Sequence, residues 1–415
     1  MPENTSPAPD PAPGPAPDDK RVLYISAVYD EAEIEAVNRV LRGGKLGIGA
    51  NVAEMERRVA EMTGKRHGIM CNSGSSALYL AVELLDLQPG DEVITSPLTF
   101  STDVAPIVRA GGVPVFIDVE PDTFNVDVSL LEAAVSDKTK AILLPNLVGN
   151  APDWDVIREV ADRHGLKVVE DGCDSLAPKL RGIPTATRAD ISVTSFALSH
   201  IITAGGTGGM VLLDDDELRE RCLLLRRWGR RSETQVFGGG GERSFWEDLD
   251  GVAYDSGFIF DELGWNFEPN EISAAFGVEQ LKKVPVNFAR RQRNFKLYSD
   301  FLAQYPQYFI LPRQLADLET AWHTYTFQIR PDAPFTRADL QQYLEPRGVD
   351  TRTVWTGNIT RHPMLKNRAY RITGGGLPNA DQVMRQGILV SGNHGLGDAD
   401  IARVTGHIAD FLKTL

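Results

Sequence analysis

Four short stretches of this chain combine residue types and spacings that can do chemistry. In "CNSGSSALYLAVELL", residues 71–85, a strand end meets a Ser/Gly turn and then an apolar helix. Backbone N–H groups at a helix start, with serine hydroxyls beside them, form an anion site suited to phosphate. Gly74 lets the backbone come close and Ser75 can donate its hydroxyl. A plain serine N-cap is the competing reading. In "LKVVEDGCDSLAP", residues 166–178, an apolar strand ends in Glu170-Asp171, with Asp174 three residues on. A carboxylate at the carboxyl end of a parallel strand lies where α/β sheets place their ligands. It can hold a protonated ring nitrogen or a metal ion, or cap the next turn. Metal is the weaker option, because no His or Cys cluster with ligand spacing accompanies it.

The third stretch, "SVTSFALSHIITAGGTGGMVLL" (residues 192–213), enters like a strand through Ser195-Phe196 and leaves through a glycine cluster. His200 stands at the turn between them. An imidazole, with an ordinary pKa of about 6.5, suits general-base work near neutrality. In the fourth, "DELGWNFEPNEISAAFG" (residues 261–277), an aromatic-flanked Asn266 and an extended turn precede a helix from Glu271.

These residues need a frame to hold them. Helical spacing runs through "DEAEIEAVNRVLRGG" and "NVAEMERRVAEMTG". Short apolar runs follow: "HGIMC", "DEVITSP", "VPVFIDV", "KAILLPN", "LKVVED", "ISVTSF" and "GGMVLL", most of them separated by helix-length segments. That alternation predicts an α/β protein with a mostly parallel sheet. Near Phe288 the texture shifts to a long charged helix, "VNFARRQRNFKLYSDFLAQY", with a strand candidate "TYTFQIR" further on. We expect a large domain over residues 21–280 and a smaller α+β C-terminal domain over residues 281–415. Residues 1–20, "MPENTSPAPDPAPGPAPDDK", are Pro/Ala/Asp-rich with no apolar signal-peptide core, and read as a disordered tail. No internal repeat is visible.

Composition narrows the function classes. A chain of 415 residues can hold a large core. Its formal charge of −14 argues against binding to nucleic acid or acidic membranes, which need a basic surface. No apolar run of about 20 residues is present to span a bilayer. Three scattered cysteines (Cys71, Cys173, Cys222) suit a reducing cytoplasm rather than a disulfide framework.

Taken in order, the four stretches resemble the landmarks of the DegT/StrS-type sugar aminotransferases, a family with the fold-type-I architecture of pyridoxal-phosphate (PLP) enzymes. The resemblance runs from about residue 22 to the end. "NSGSSAL" is similar to the family's phosphate turn, "PLTF" to the segment before its cofactor-stacking position, "VVEDGCDSL" to its acidic strand and "LGWNFEPNEISAAFG" to its Gly-Tyr-Asn-like block. The resemblance implies that Gly74, Ser75 and Ser195 hold the cofactor phosphate and that Phe100 stacks on the pyridine ring. Asp171 would pair with the ring nitrogen, and Asp174 would lie near the ring hydroxyl, where aminotransferases usually have Gln. Asn266 would reach in from a neighbouring subunit of a homodimer with shared active sites.

The aminotransferases of this family carry a lysine five residues after the serine, and it binds the cofactor covalently. Ser195 plus five is His200. The same change marks the family's sugar 3-dehydratases. "EDGCDSL", "LVGNAPD" and "TRTVWTGNITRHP" (residues 351–363) also resemble that branch. The likeness implies pyridoxamine phosphate (PMP) or PLP held non-covalently and a nucleotide-linked 4-keto-6-deoxyhexose as substrate. His200 would be the base in loss of the C3 hydroxyl, with an amino donor such as glutamate as a further partner. Arg352, Asn358 and Arg361 would face the sugar nucleotide or the donor carboxylate. One departure matters. Some members of the branch ligate an iron–sulfur cluster through a cysteine-rich loop, but residues 228–251, "WGRRSETQVFGGGGERSFWEDLDG", contain no cysteine. Four thiolates are the usual requirement, so no metal centre is expected. "FALSH" also lacks the branch's second histidine. Two other readings stay open: a related enzyme acting on another sugar, a cyclitol or a nucleoside, and a partner subunit without turnover.

Overall fold

A computed structural model describes residues 21–237 and 246–415. The Pro/Ala-rich stretch and part of the cysteine-free loop lie outside the described residues. All seven apolar runs form strands of one eight-stranded sheet. Its order is His67–Cys71, Gly209–Leu213, Ile191–Ser195, Lys167–Asp171, Thr139–Pro145, Glu92–Thr95, Val113–Phe116 and Arg371–Ile372. From Ile191–Ser195 onward every pairing is parallel. Gly209–Leu213 runs antiparallel to both of its neighbours. Helices cover both faces, which explains why the central strands are near-continuous Val, Ile and Leu rather than alternating. Val169, Ile142, Leu143 and Val193 are fully buried.

A second sheet, ordered Phe309–Ile310, Thr324–Ile329, Gly387–Ser391 and Arg352–Thr353, is antiparallel throughout. The helices Arg337–Leu344 and Asp398–Leu412 cover it through Leu340, Leu344, Val404 and Ile408. The two halves are joined by helix rather than by linker. Glu271–Leu302 is one helix of 32 residues that continues through Pro285, so the division drawn at 280/281 falls inside it. The extreme segment also crosses over: Val22 bridges to Val349 and packs with the C-terminal core instead of the large sheet.

The long helix anchors the first two. Asn270 caps it, accepting from the Ser273 N–H. Helix Ala50–Thr63 has Gly49 at its N-cap and no side-chain cap of its own. Glu271 supplies one from across the fold, accepting from the N–H groups of Asn51 (3.1 Å) and Val52 (2.8 Å). Fully buried Glu33, on Glu31–Gly43, pairs with Lys283 at 2.7 Å and accepts from Gln280 at 2.6 Å. That combination satisfies a carboxylate that would otherwise be costly to bury.

Candidate active site

Parallel strands end together, and here Pro145, Asp171 and Ser195 finish on one edge of the sheet. Helix Gly74–Glu83 starts at the same edge. The cap of that helix is Ser73, whose hydroxyl accepts from the Ser76 N–H at 3.0 Å, so capping does not account for Ser75. Gly74 sits so close to the neighbouring strand that a Cβ there would meet Ser195 Cβ at 2.6 Å. Only glycine leaves the backbone this near.

These residues open onto a cavity of about 610 Å³. Gly74, Ser75, Phe100, Asp171, Asp174, Ser195, His200 and Arg352 all line it. Phe100, at the start of helix Ser101–Arg109, leaves 56% of its surface exposed there. An open aromatic face on a cavity wall suits stacking of a flat ring.

His200 is the best defined of the group. One ring nitrogen, Nδ1, lies against the Cys173 carbonyl. A carbonyl only accepts, so Nδ1 carries the proton and Nε2 keeps its lone pair. Burial, together with the nearby Arg291 charge, lowers the His200 pKa to about 4. At neutral pH the ring is therefore an uncharged base. Arg291 lies beneath it, fully buried. Its guanidinium donates to the carbonyls of His200 (3.3 Å), His323 (2.8 Å) and Trp322 (3.2 Å), and to His394 Nδ1 (3.2 Å). Burial lowers its own pKa to about 9, which leaves it charged.

A second imidazole enters from the other half of the fold. His323 precedes the strand Thr324–Ile329; its ring centroid is 5.3 Å from that of His200, and its Nδ1 is 4.0 Å from Asp174. Donor atoms of Asp174, His200 and His323 lie within 4.8 Å of one another. The expectation that no histidine cluster accompanies the acidic strand is thereby corrected. Chain order hides the grouping, because strand ends and a distant turn converge in space. Among the described residues, neither ring nitrogen of His323 has a hydrogen-bond partner within ordinary geometry. Burial, then the neighbouring His200, keeps its pKa well below the ordinary value.

His323 is held by the turn Leu147–Gly149. Gly149 adopts φ 85°, and a Cβ there would lie 2.4 Å from the His323 backbone nitrogen. Val148 also sits in the left-handed region, at φ 54°. Its N–H donates to Asp174 at 2.9 Å. We expect Gly149→Ala to lower stability by about 1–3 kcal/mol and to displace His323, measured as a drop in melting temperature with altered imidazole NMR signals.

Asp171 accepts from the Cys173 N–H at 2.9 Å, and burial raises its pKa. Asp174 rises to about 8, through burial first and the Asp171 charge second. Asp103, Tyr24, Trp355 and His362 also line the cavity and carried no signal in the sequence reading.

Three expected residues lie elsewhere. Asn266 is exposed and outside this chain's cavity, with its backbone bridged to Arg227. Asn358 is buried and donates to Asp381 at 2.8 Å, and Arg361 pairs with the same carboxylate. Asn358 and Arg361 were expected to face a ligand; in this chain both meet Asp381, on helix Pro378–Gln386.

A mostly parallel α/β sheet with its ligand cavity at the carboxyl strand ends, abutting a small antiparallel unit, is the architecture of the fold-type-I PLP enzymes. The model of the DegT/DnrJ/EryC1/StrS aminotransferase family matches residues 28–409, and the chain belongs to that family. It is 35% identical over 397 residues to a dTDP-4-dehydro-2,6-dideoxy-D-glucose 3-dehydratase of Saccharopolyspora spinosa, covering 93% of this chain and 85% of that protein. Among solved structures it is similar to an Escherichia coli GDP-4-keto-6-deoxy-D-mannose-3-dehydratase with bound hydrated PLP. There the TM-score is 0.83 and the identity 28%, over 93% of this chain and 99% of the other. A mutant GDP-4-keto-6-deoxymannose-3-dehydratase with bound GDP-perosamine gives a TM-score of 0.84 at 27% identity, with the same coverage.

Proposed function

We propose that this chain is a PMP-dependent dehydratase that removes the C3 hydroxyl of a nucleotide-linked 4-keto-6-deoxyhexose, with His200 as the base. The observation that carries this reading is the imidazole at the strand-end turn, fixed through Nδ1 on the Cys173 carbonyl and neutral at physiological pH. A lysine there would bind the cofactor aldehyde covalently; an imidazole only moves protons.

The cavity residues fit PLP or PMP. Gly74, Ser75 and Ser195 form the close backbone cradle that a phosphate needs, and Phe100 offers a ring face. Asp171 is the carboxylate for the ring nitrogen. Asp174, with a pKa of about 8, is protonated at neutrality and can donate to the ring oxygen. A glutamine amide would make the same donation. When bound, the cofactor supplies an electron sink that lets loss of its C4′ proton expel a neighbouring hydroxyl. The protein's part is to hold the ring, accept that proton on His200 Nε2 and orient the sugar. Arg352 lines the cavity at 51% side-chain exposure, within reach of phosphate or of the carboxylate of a donor such as glutamate.

We further propose a homodimer with shared sites. Leu263 is 95% exposed and Phe260 55%, beside exposed Phe258 and Trp265. A partner covering this face would bring Asn266 toward the other chain's cavity. With three cysteines in the whole chain, the enzyme would work without an iron–sulfur cluster.

The deciding experiment supplies PMP and a panel of nucleotide-linked 4-keto-6-deoxyhexoses and reads products by mass spectrometry. Loss of one oxygen atom from at least one substrate, the C3 hydroxyl being replaced by hydrogen while PMP is oxidised to PLP and its nitrogen leaves as ammonia, in protein free of iron and sulfide, is the expected result. Amino transfer with no deoxygenated product would overturn the reading.

A further inference from the structure

Three carboxylic acids crowd one wall of the cavity, and only two were expected there. The third, Asp103, lies in the first turn of helix Ser101–Arg109 with no surface exposed. Its Oδ2 accepts from the Thr99 hydroxyl. Its Oδ1 accepts no hydrogen bond from any donor among the described residues. The Asp103 carboxyl lies within hydrogen-bonding reach of Asp171. Among the described residues, none of Asp103, Asp171 and Asp174 is ion-paired with a lysine or arginine, and the basic side chains near Asp174 are the imidazoles of His323 and His200.

Counting charge makes the arrangement informative. Burying several carboxylates without cations is prohibitive, so such groups take up protons instead. The groups facing Asp103 are Asp171, Cys173 and Asp174, all acidic or neutral. The protonated ring of a bound pyridoxal cofactor brings one positive charge and can balance one carboxylate. Two adjacent carboxyls share a proton most favourably as an acid donating to an anion.

We propose that Asp103 is a positioning residue for the cofactor's ring nitrogen: as the neutral acid of the pair, it donates its carboxyl hydrogen to Asp171 and keeps Asp171 the anion that meets the ring. Burial first, and then the Asp171 charge, hold the Asp103 proton far above the ordinary carboxyl range. The bond from Asp103 acts oppositely on Asp171, making it less proton-hungry than burial alone would. The consequence falls on the ring. An Asp171 relieved of part of its basicity leaves the shared proton on the pyridine nitrogen, which is the state an electron sink requires. This inference rests on the PMP-dependent reading, although its first test does not.

The experiment has two arms. In cofactor-free protein with carbon-13 aspartate, infrared spectra at neutral pH should show, beside the protonated carboxyl of Asp174, a second protonated buried carboxyl that disappears in Asp103→Asn. Absence of that band in the native protein overturns the proposal, whatever the enzyme does. In protein loaded with ring-labelled nitrogen-15 PLP, the native chain and Asp103→Asn should both give a protonated ring nitrogen, because the amide still donates to Asp171. Asp103→Leu, which cannot donate, should shift the signal toward neutral pyridine and weaken PLP binding roughly tenfold or more. If Asp103→Asn behaves like Asp103→Leu, Asp103 acts as an anion and the proposal falls. If the native chain binds no PLP while the infrared band is present, the functional reading falls and the protonation of Asp103 stands.

Discussion

Replacing His200 with asparagine is expected to abolish dehydration while leaving the cofactor bound. The expected loss is about 10²–10⁴ in rate, the usual contribution of a positioned general base. In the proposed function the phosphate and ring-nitrogen contacts come from Gly74, Ser75, Ser195 and Asp171, so PLP titration should give nearly native affinity. Exchange of the C4′ proton into deuterated solvent isolates the step, and a native exchange rate in His200→Asn would sink the assignment. The acid limb of the native rate profile should fall near pH 4 rather than 6.5, because the base is lost only when its lowered pKa is crossed. His200→Lys should behave oppositely at the covalent level. Its amine, with an unperturbed pKa of about 10.4 that burial lowers, should bind the cofactor aldehyde so that borohydride fixes a pyridoxyl group on the chain. The native protein should release all of its cofactor on dialysis.

Arg291→Met carries the second large effect. Removing the guanidinium strands three buried carbonyls that it now satisfies. Each buried group left unpaired costs about 1–3 kcal/mol, so melting should drop by many degrees. The pH dependence gives a second, independent readout. Burial and the Arg291 charge lower the folded pKa of His200 to about 4 and of His394 to about 3. The unfolded chain therefore takes up these protons first, and stability is lost as pH falls from about 6.5 toward those values. Without the guanidinium, the part of each shift caused by its charge disappears. Acid unfolding should become shallower in that window, and the acid limb of activity should move upward from pH 4. An unmoved acid limb would show that Arg291 only braces the backbone.

Sequence carried the frame and half of the site, for identifiable reasons. Parallel strands buried on both faces leave runs such as "KAILLPN" and "LKVVED", and the residues ending those runs necessarily share one edge. Asp171, Ser195 and His200 were legible on that account. His323 and Asp103 were not, because each reaches the cavity from a segment whose own pattern is ordinary strand or helix. Asn358 and Arg361 look like ligand-binding residues until Asp381, twenty positions on from Arg361, is seen between them. The 280/281 division falls inside a helix because the sequence shows a change of surface charge along Glu271–Leu302, while the backbone continues through Pro285.

That same helix settles what position 200 can tolerate. The backbone of His200 is gripped from below by Arg291 through its carbonyl and tied to Ala197 through its N–H. Neither contact involves the imidazole. The residue thus works like an interchangeable tool in a fixed chuck: the mount belongs to the long helix, and the chemistry belongs to whatever side chain is fitted. If His200 is the base proposed above, one fold would move between covalent capture and free proton transfer by exchange of that single side chain.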